Sequence, residues 1–452
     1  MSSTPPSTPL LETAPPNNTT PASLWLLAYH FLILGCTGFG GPSAHVGLFE
    51  TLFVERKHWL DGAVYAELLA VCQMLPGPTS TQMSFALGIT QQGTLGGLIS
   101  GLLFMLPGAV LMTTLGVGTA EALKRGLLDH GTWTAATAAG LSSVGVALIG
   151  NAALSLGSKI CGTVRLQMAI CAASAALTLL PSKPVPWLFP VLLVSGGAVS
   201  AVDKTVRMSA RSDAVAQEDR DAQPSIDRSS IKFGLRAWQG ACVVGIWACM
   251  LLGFSVFALS TPTSTQPQLH WFYTFFYTGS LVYGGGPVVL PVLQTIICDR
   301  NHWIRDAQFL AALGLAQAMP GPMFNLSPFL GAVIAQSAGT NVYVGALLCW
   351  LGIFAPGVMM IFGVLPLWRG LRNNRIYQRA VPGVSASAVG LIFASIFSLH
   401  ASLQASSPFP SASDAIAVTG FALIRVGNVP APLSVLCGGV LGVLAWACGI
   451  EQ

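Results

Sequence analysis

The segments Gln73-Met-Leu-Pro-Gly-Pro-Thr-Ser-Thr-Gln82 and Gln317-Ala-Met-Pro-Gly-Pro-Met-Phe-Asn325 each interrupt an otherwise apolar stretch, one in each half of the chain. A Pro-Gly-Pro triplet removes two backbone donors and adds a flexible point, so a continuous α-helix cannot pass through Pro76, Gly77 and Pro78 or through Pro320, Gly321 and Pro322. Each stretch is therefore expected as two half-helices. At membrane depth the backbone groups freed by such a break are tolerated only where protein or a wet cavity satisfies them. Breaks at matching places in two halves are the sequence pointer to a solute site in a transporter.

Thr79, Ser80, Thr81 and Gln82 follow the first break, and Asn325 and Ser327 follow the second, so hydroxyls and amides stand at a new helix start. That end of a helix carries free N–H groups and the positive end of the dipole, worth about half an elementary charge, which suits a phosphate-like or sulfate-like ion. The alternative is that these residues cap a kinked structural helix.

The surroundings are those of a membrane protein. A soluble domain carries about a quarter charged residues; this chain has 8% charged and 53% hydrophobic residues. The intervals 237–268 and 307–367 contain no Asp, Glu, Lys or Arg, and roughly 20 apolar residues cross the ~30 Å hydrocarbon layer. Apolar segments fall near 24–48, 63–90, 94–120, 132–156, 166–180, 185–202, 237–259, 270–297, 307–336, 342–367, 381–402, 412–425 and 430–449. This predicts an all-α polytopic membrane protein with about thirteen transmembrane segments, those near 166–180 and 412–425 being short enough to be re-entrant or interfacial.

The halves repeat. Gly40-Gly41-Pro42 answers Gly285-Gly286-Pro287, His58-Trp59 answers His302-Trp303, Gln73 answers Gln317, and Leu106-Pro107-Gly108 answers Ala355-Pro356-Gly357, in one order around the two Pro-Gly-Pro turns. That order marks a duplication. Residues 1–22, rich in Pro, Ser, Thr and Asn, read as a disordered tail; 23–202 is the first repeat, 203–236 a charged linker, 237–269 a lone connecting span, and 270–452 the second repeat. With six segments before the linker and a seventh crossing alone, the repeats are expected to be inverted. Most of the 21 Lys and Arg then lie on the linker side, which makes that face cytoplasmic.

Further candidates flank these motifs. The glycines of Gly40-Gly41-Pro42 and Gly285-Gly286-Pro287 allow close helix approach or a second unwound stretch. Arg56, Lys57, Arg300 and Arg305 follow the glycine motifs and either recruit an anion or anchor the chain at the interface. Glu67, nine residues before Pro76, is an intramembrane carboxylate suited to proton coupling unless it sits at the interface, and His30 and His45 flank the first glycine motif as groups able to titrate near neutrality or to serve as core residues. The net charge of +4 is spread over short loops, so no nucleic-acid partner is expected. The 10 cysteines show no C-x-x-C or zinc-type spacing, so neither metal nor disulfide framework is indicated. G-x-S-x-G, H-E-x-x-H and Walker A segments are absent from the sequence, which predicts no enzyme, no cofactor and no nucleotide-driven pump.

At these motifs the chain resembles the chromate ion transporters, whose long members carry two homologous domains with an F-G-G-P-like segment and a later P-G-P. Here the first pair reads Phe39-Gly-Gly-Pro-Ser-Ala-His45 and Gln73 to Gln82, and the second Tyr283-Gly-Gly-Gly-Pro-Val-Val-Leu-Pro291 and Gln317 to Met323, over roughly residues 28 to 449. The resemblance implies secondary movement of the tetrahedral dianion chromate, with sulfate as competitor or natural substrate. It extends to the two glycine motifs, His45, Gln73, Gln82, Gln317 and both Pro-Gly-Pro turns. Tyr283 in place of Phe is a departure, and no Arg or Lys precedes the first glycine motif. The ion would be held where the two half-helix starts converge and be moved by alternating access, in the plasma membrane, with a homodimer as a compatible assembly. A sulfate or other oxyanion transporter is the near alternative; an anion channel or a non-transporting membrane protein is the distant one. A dianion leaving an inside-negative cell gains roughly 4.6 kcal/mol per 100 mV, so export needs no coupling and uptake does.

Overall fold

The computed structural model describes residues 22–39, 41–125, 133–162, 164–181, 188–203, 234–262, 265–282, 290–368 and 375–449, and every regular element among them is helical. The expected tail at 1–22 and linker at 203–236 lie almost wholly outside the described residues.

The first half runs α1 (Leu24–Thr37), α2 (Gly41–Phe49, continued as a π-helix Glu50–Arg56), α3 (Gly62–Met74), α4 (Thr79–Lys124), α5 (Trp133–Ile160), α6 (Arg165–Leu179) and α7 (Leu188–Val202). After α8 (Ala237–Ser260) the order returns: α9 (Pro267–Ser280), α10 (Leu290–Gln294, continued as a π-helix Thr295–Arg300), α11 (Asp306–Ala318), α12 (Leu326–Ser337), α13 (Val342–Val364), α14 (Arg375–Ser406), α15 (Pro410–Arg425) and α16 (Ala431–Ala447). α4 is itself two helices joined at Gln92 and Gly93, whose backbones are non-helical. That joint corresponds to the turn between α12 and α13, so α4 answers both.

The two π-helices end alike. His58 and His302 both adopt left-handed backbone, at φ +50° and +51°, and the amide of the following tryptophan reaches back to Phe53 O in one repeat and Ile297 O in the other. This local turn is what the repeated His-Trp pair encodes. Trp59 then stacks on Phe53 at 4.6 Å.

Packing interlocks the halves. α5 of the first repeat lies against α15 and α16 of the second, while α14 of the second lies against α6 and α7 of the first. Small residues allow the contact, because a Cβ at Gly140 would meet the Gly438 carbonyl and one at Gly383 the Gly196 carbonyl. α1 packs on α4 and, in the matching place, α9 on α13. Phe31, Phe53, Phe104, Phe275, Phe324 and Phe329 fill one core that spans both repeats. α8 rests on the outside, with none of its most apolar stretch buried.

Five of the described helical stretches are long and apolar enough to cross a bilayer, within 79–122, 135–155, 237–258, 342–367 and 378–405. Shorter apolar helices stand at 24–37, 165–179, 191–202 and 431–447. The segments expected at 24–48, 63–90 and 307–336 each consist of two shorter pieces, because the chain departs from helix at Gly38, at Leu75–Pro78 and again at Met319–Pro322. A 13-residue helix such as α3 or α11 rises about 20 Å and reaches only part of the way across.

Candidate functional site

α3 stops at Met74 and α4 begins at Thr79. Between them Gly77 holds φ +133°, a backbone that residues with a Cβ rarely adopt, and its N–H donates to Val282 O at 2.8 Å. The Gln82 side chain folds back over the break, its Nε2 donating to Pro76 O at 2.9 Å and to Gly357 O at 3.2 Å. In the second repeat Gly321 holds φ +89°, and its N–H donates to Gly38 O at 2.7 Å. Asn325 donates from Nδ2 to Met105 O at 3.1 Å and accepts from Trp350 Nε1 at 3.2 Å.

The exchange is reciprocal. Each Pro-Gly-Pro glycine donates to the carbonyl that immediately precedes the aromatic residue (Phe39 or Tyr283) of the opposite repeat's glycine motif. Each following amide side chain reaches the opposite repeat's second proline kink, Gln82 at Ala355-Pro356-Gly357 and Asn325 just before Leu106-Pro107-Gly108. A break in one half is thus completed by the other.

Both sites are closed from solvent. Ser80, Thr81, Gln82 and Asn325 are each 1% exposed and Ser327 is 0% exposed. The Gly77 and Gly321 amides, expected to face an anion, are already satisfied by carbonyls. Within α4 the amide of Gln82 donates to Pro78 O at 2.9 Å, whereas those of Thr79, Ser80 and Thr81 have no carbonyl one turn earlier. Thr81 Oγ1, Gln82 Oε1 and Ser327 Oγ are buried with no partner. The groups free to meet an ion are therefore the first-turn amides and the Thr81 and Ser327 hydroxyls.

His45 is fully buried. Its Nε2 lies 2.9 Å from Gly38 O, the same carbonyl that accepts from Gly321, so Nε2 carries the proton and Nδ1 presents a lone pair that is buried without a partner. Its ring meets Phe104 edge-on at 5.2 Å. His45 therefore fastens the first glycine motif to the second break.

The remaining candidates are dispersed. Gln73 is exposed on α3, away from the buried cluster, and Gln317 is half-buried with Nε2 3.6 Å from Met323 Sδ. Arg56, Lys57, Arg300 and Arg305 are exposed beside the π-helix turns. Arg305, Lys124 and His302 line a cavity of about 680 Å³, and Arg305 also borders a second of about 470 Å³ between α5, α11 and α14. Neither cavity reaches the breaks. Nearby, burial and then the neighbouring Asp306 push the Asp299 carboxyl above its usual range, with His302 acting against them. Glu67 lies on α3, but its side chain, like Gly40, Gly285, Gly286 and Pro287, is outside the described residues. Val282, Met105, Trp350 and Gly357 were not among the expected site residues; the pairing of Leu106-Pro107-Gly108 with Ala355-Pro356-Gly357 was the signal that pointed near them.

A two-repeat chain, helical throughout its described regular elements, with several helices long and apolar enough to cross a bilayer and paired interruptions, has the make-up of an integral membrane protein. The family model described as "Chromate transporter" matches residues 25–201 and 269–443, once per repeat. The chain belongs to the chromate transporter family. It is 28% identical to a "Probable chromate transport protein" of Synechococcus elongatus over 430 residues, 94% of this chain and 96% of that one. It is 27% identical to a "Chromate transport protein" of Cupriavidus metallidurans over 422 residues, covering 93% and 92% of the two chains. A "Chromate transport protein" of Pseudomonas aeruginosa is 28% identical over 389 residues, 86% of this chain and 83% of that one. No solved structure matches.

Proposed function

We propose that this protein carries chromate across the plasma membrane as a secondary transporter, holding the ion between the two Pro-Gly-Pro breaks and exposing it to either side in turn. The observation that carries this reading is the reciprocal exchange at the breaks, Gly77 to Val282 and Gly321 to Gly38. Because each break is completed by the other repeat, a rocking of one repeat against the other remakes both breaks, the kind of motion on which alternating access in repeat transporters rests. The first-turn amides of α4 and the hydroxyls of Thr81 and Ser327 supply donors suited to an oxyanion, and the chromate-transport names of the relatives agree with that charge and shape. Exposed Arg305 and Lys124 at one cavity mouth favour recruitment of an anion from the aqueous side.

In this reading the chain crosses the membrane about thirteen times as inverted repeats, 23–202 and 270–452, joined by the cytoplasmic linker 203–236 and the lone span 237–269. The reciprocal symmetry of the breaks supports the two-fold relation that inversion implies. Sulfate is the nearest competitor, since it shares the tetrahedral dianion shape.

The test is flux of labelled chromate into and out of cells with and without the protein, with excess sulfate as competitor. Protein-dependent chromate flux that sulfate suppresses supports the oxyanion site. Equal flux in the two cell types would overturn the chromate assignment.

A further inference from the structure

The two breaks are not equivalent in what they leave unpaired. At the second, both polar atoms of the Asn325 amide are used, Nδ2 by Met105 O and Oδ1 by Trp350. At the first, Gln82 places Nε2 between two carbonyls, Pro76 O and Gly357 O. Two acceptors on the nitrogen side fix the amide's orientation, so Oε1 faces away from them, buried and without a donor. An amide oxygen only accepts. Thr81 Oγ1, one residue earlier in the same first turn of α4, is also buried and unpartnered, and a hydroxyl either donates or accepts.

A bare dianion offers only acceptors and cannot satisfy Gln82 Oε1. An oxyanion that keeps one proton offers both: its charged oxygens take the Thr81 hydroxyl and the first-turn amides, and its own O–H meets the amide oxygen. We propose that the first break selects the oxyanion in its hydrogen-bearing, singly charged form, with Gln82 Oε1 accepting the ion's O–H. This rests on the reading of the breaks as the oxyanion site. It separates ions of one shape by chemistry: hydrogen chromate is a weak acid that gives up its proton only around neutrality, while hydrogen sulfate and hydrogen selenate have lost theirs at far lower pH. It also means that each carried ion moves one elementary charge.

Titratable groups of the protein must be distinguished from the ion's own proton. The elements packed against α4 bring Tyr29, His30, Cys36, His45, Tyr65, Glu67, Cys72, Asp306, Tyr343 and Cys349, and Glu121 and Lys124 stand at its far end; among the described side chains none of them hydrogen-bonds Thr81 or Gln82. Titration of any of these would alter the binding of every tetrahedral anion alike.

The experiment is equilibrium dialysis of the purified full-length chain against labelled chromate, selenate and sulfate across a pH series through neutrality. Chromate affinity is expected to weaken about tenfold for each pH unit above the point where the ion itself loses its proton, with selenate and sulfate binding at least about tenfold more weakly at neutral pH and without that slope. Gln82→Leu is expected to bring chromate down to the selenate level. A chromate affinity that is flat or rises with pH, or a selenate curve that follows chromate's, would overturn the proposal while leaving the oxyanion site in place. No chromate binding at any pH would remove the site and the proposal together.

Discussion

Replacing Gly77 and Gly321 by alanine separates two effects that the sequence makes look the same. Both glycines hold positive φ, and an L-residue in the left-handed region costs roughly 1–2 kcal/mol. Their surroundings differ. A Cβ at Gly77 would lie 2.6 Å from Gly357 Cα and 2.6 Å from Gln82 Nε2, whereas at Gly321 the nearest atom is Asn325 Nδ2 at 3.4 Å. The first contact is with backbone of the other repeat, which cannot swing aside, so an overpacking cost of about 1–3 kcal/mol adds to the strain. The expected destabilisation is about 2–5 kcal/mol for Gly77→Ala and about 1–2 kcal/mol for Gly321→Ala. Denaturant unfolding of the two variants in detergent, followed by tryptophan fluorescence, measures the difference, and chromate flux of the same variants reports whether the closed break matters to transport. Equal midpoints would show that α13 does not press on the first break as described, and the interlocked geometry would have to be abandoned.

Two other outcomes follow from single contacts. Asn325→Leu leaves Trp350 Nε1 and Met105 O without their partner in a buried setting, and each lost bond costs about 1–2 kcal/mol, so a drop of about 2–4 kcal/mol in the same unfolding assay is expected; a wild-type midpoint would mean that the amide clamp is dispensable. Asp299→Asn tests the end of the π-helix beside Arg300. A carboxyl held above its ordinary pKa destabilises the fold once pH rises through the window between its unfolded and folded values, so the variant should melt higher than wild type at neutral pH, modestly because Asp299 is exposed, and the gap should close in acid.

How far the sequence reaches can be judged at the breaks themselves. Pro76 to Pro78 and Pro320 to Pro322 announce the interruptions, since proline's missing N–H acts through the local backbone. The duplication is equally plain, and the left-handed His58 and His302 show that even a small repeated pair encodes one turn. What completes the breaks is a matter of through-space contact. Val282 and Gly38 are ordinary apolar positions whose carbonyls become partners only when the repeats interlock, and for that reason the Gly77 and Gly321 amides look free in sequence and are bonded in the fold. Gln73 and Gln82 flank the same break, yet one is exposed on α3 and the other seals the break. Helical phase and the company of the opposite repeat decide between them, and neither is written within ten residues of the motif.

The interlocking of α5 with α15 and α16, and of α14 with α6 and α7, has a consequence for how the chain is made. When the ribosome has finished α7, the faces that will bury α14 are still uncovered, and the first break still lacks the carbonyls of Val282 and Gly357. The membrane then holds an inserted but unfinished half, with small-residue grooves open to lipid. The groove left on α5 is filled only when α15 and α16, late in the second half, arrive. Assembly must therefore run from insertion to a late mutual docking, and neither half reaches its final form by itself.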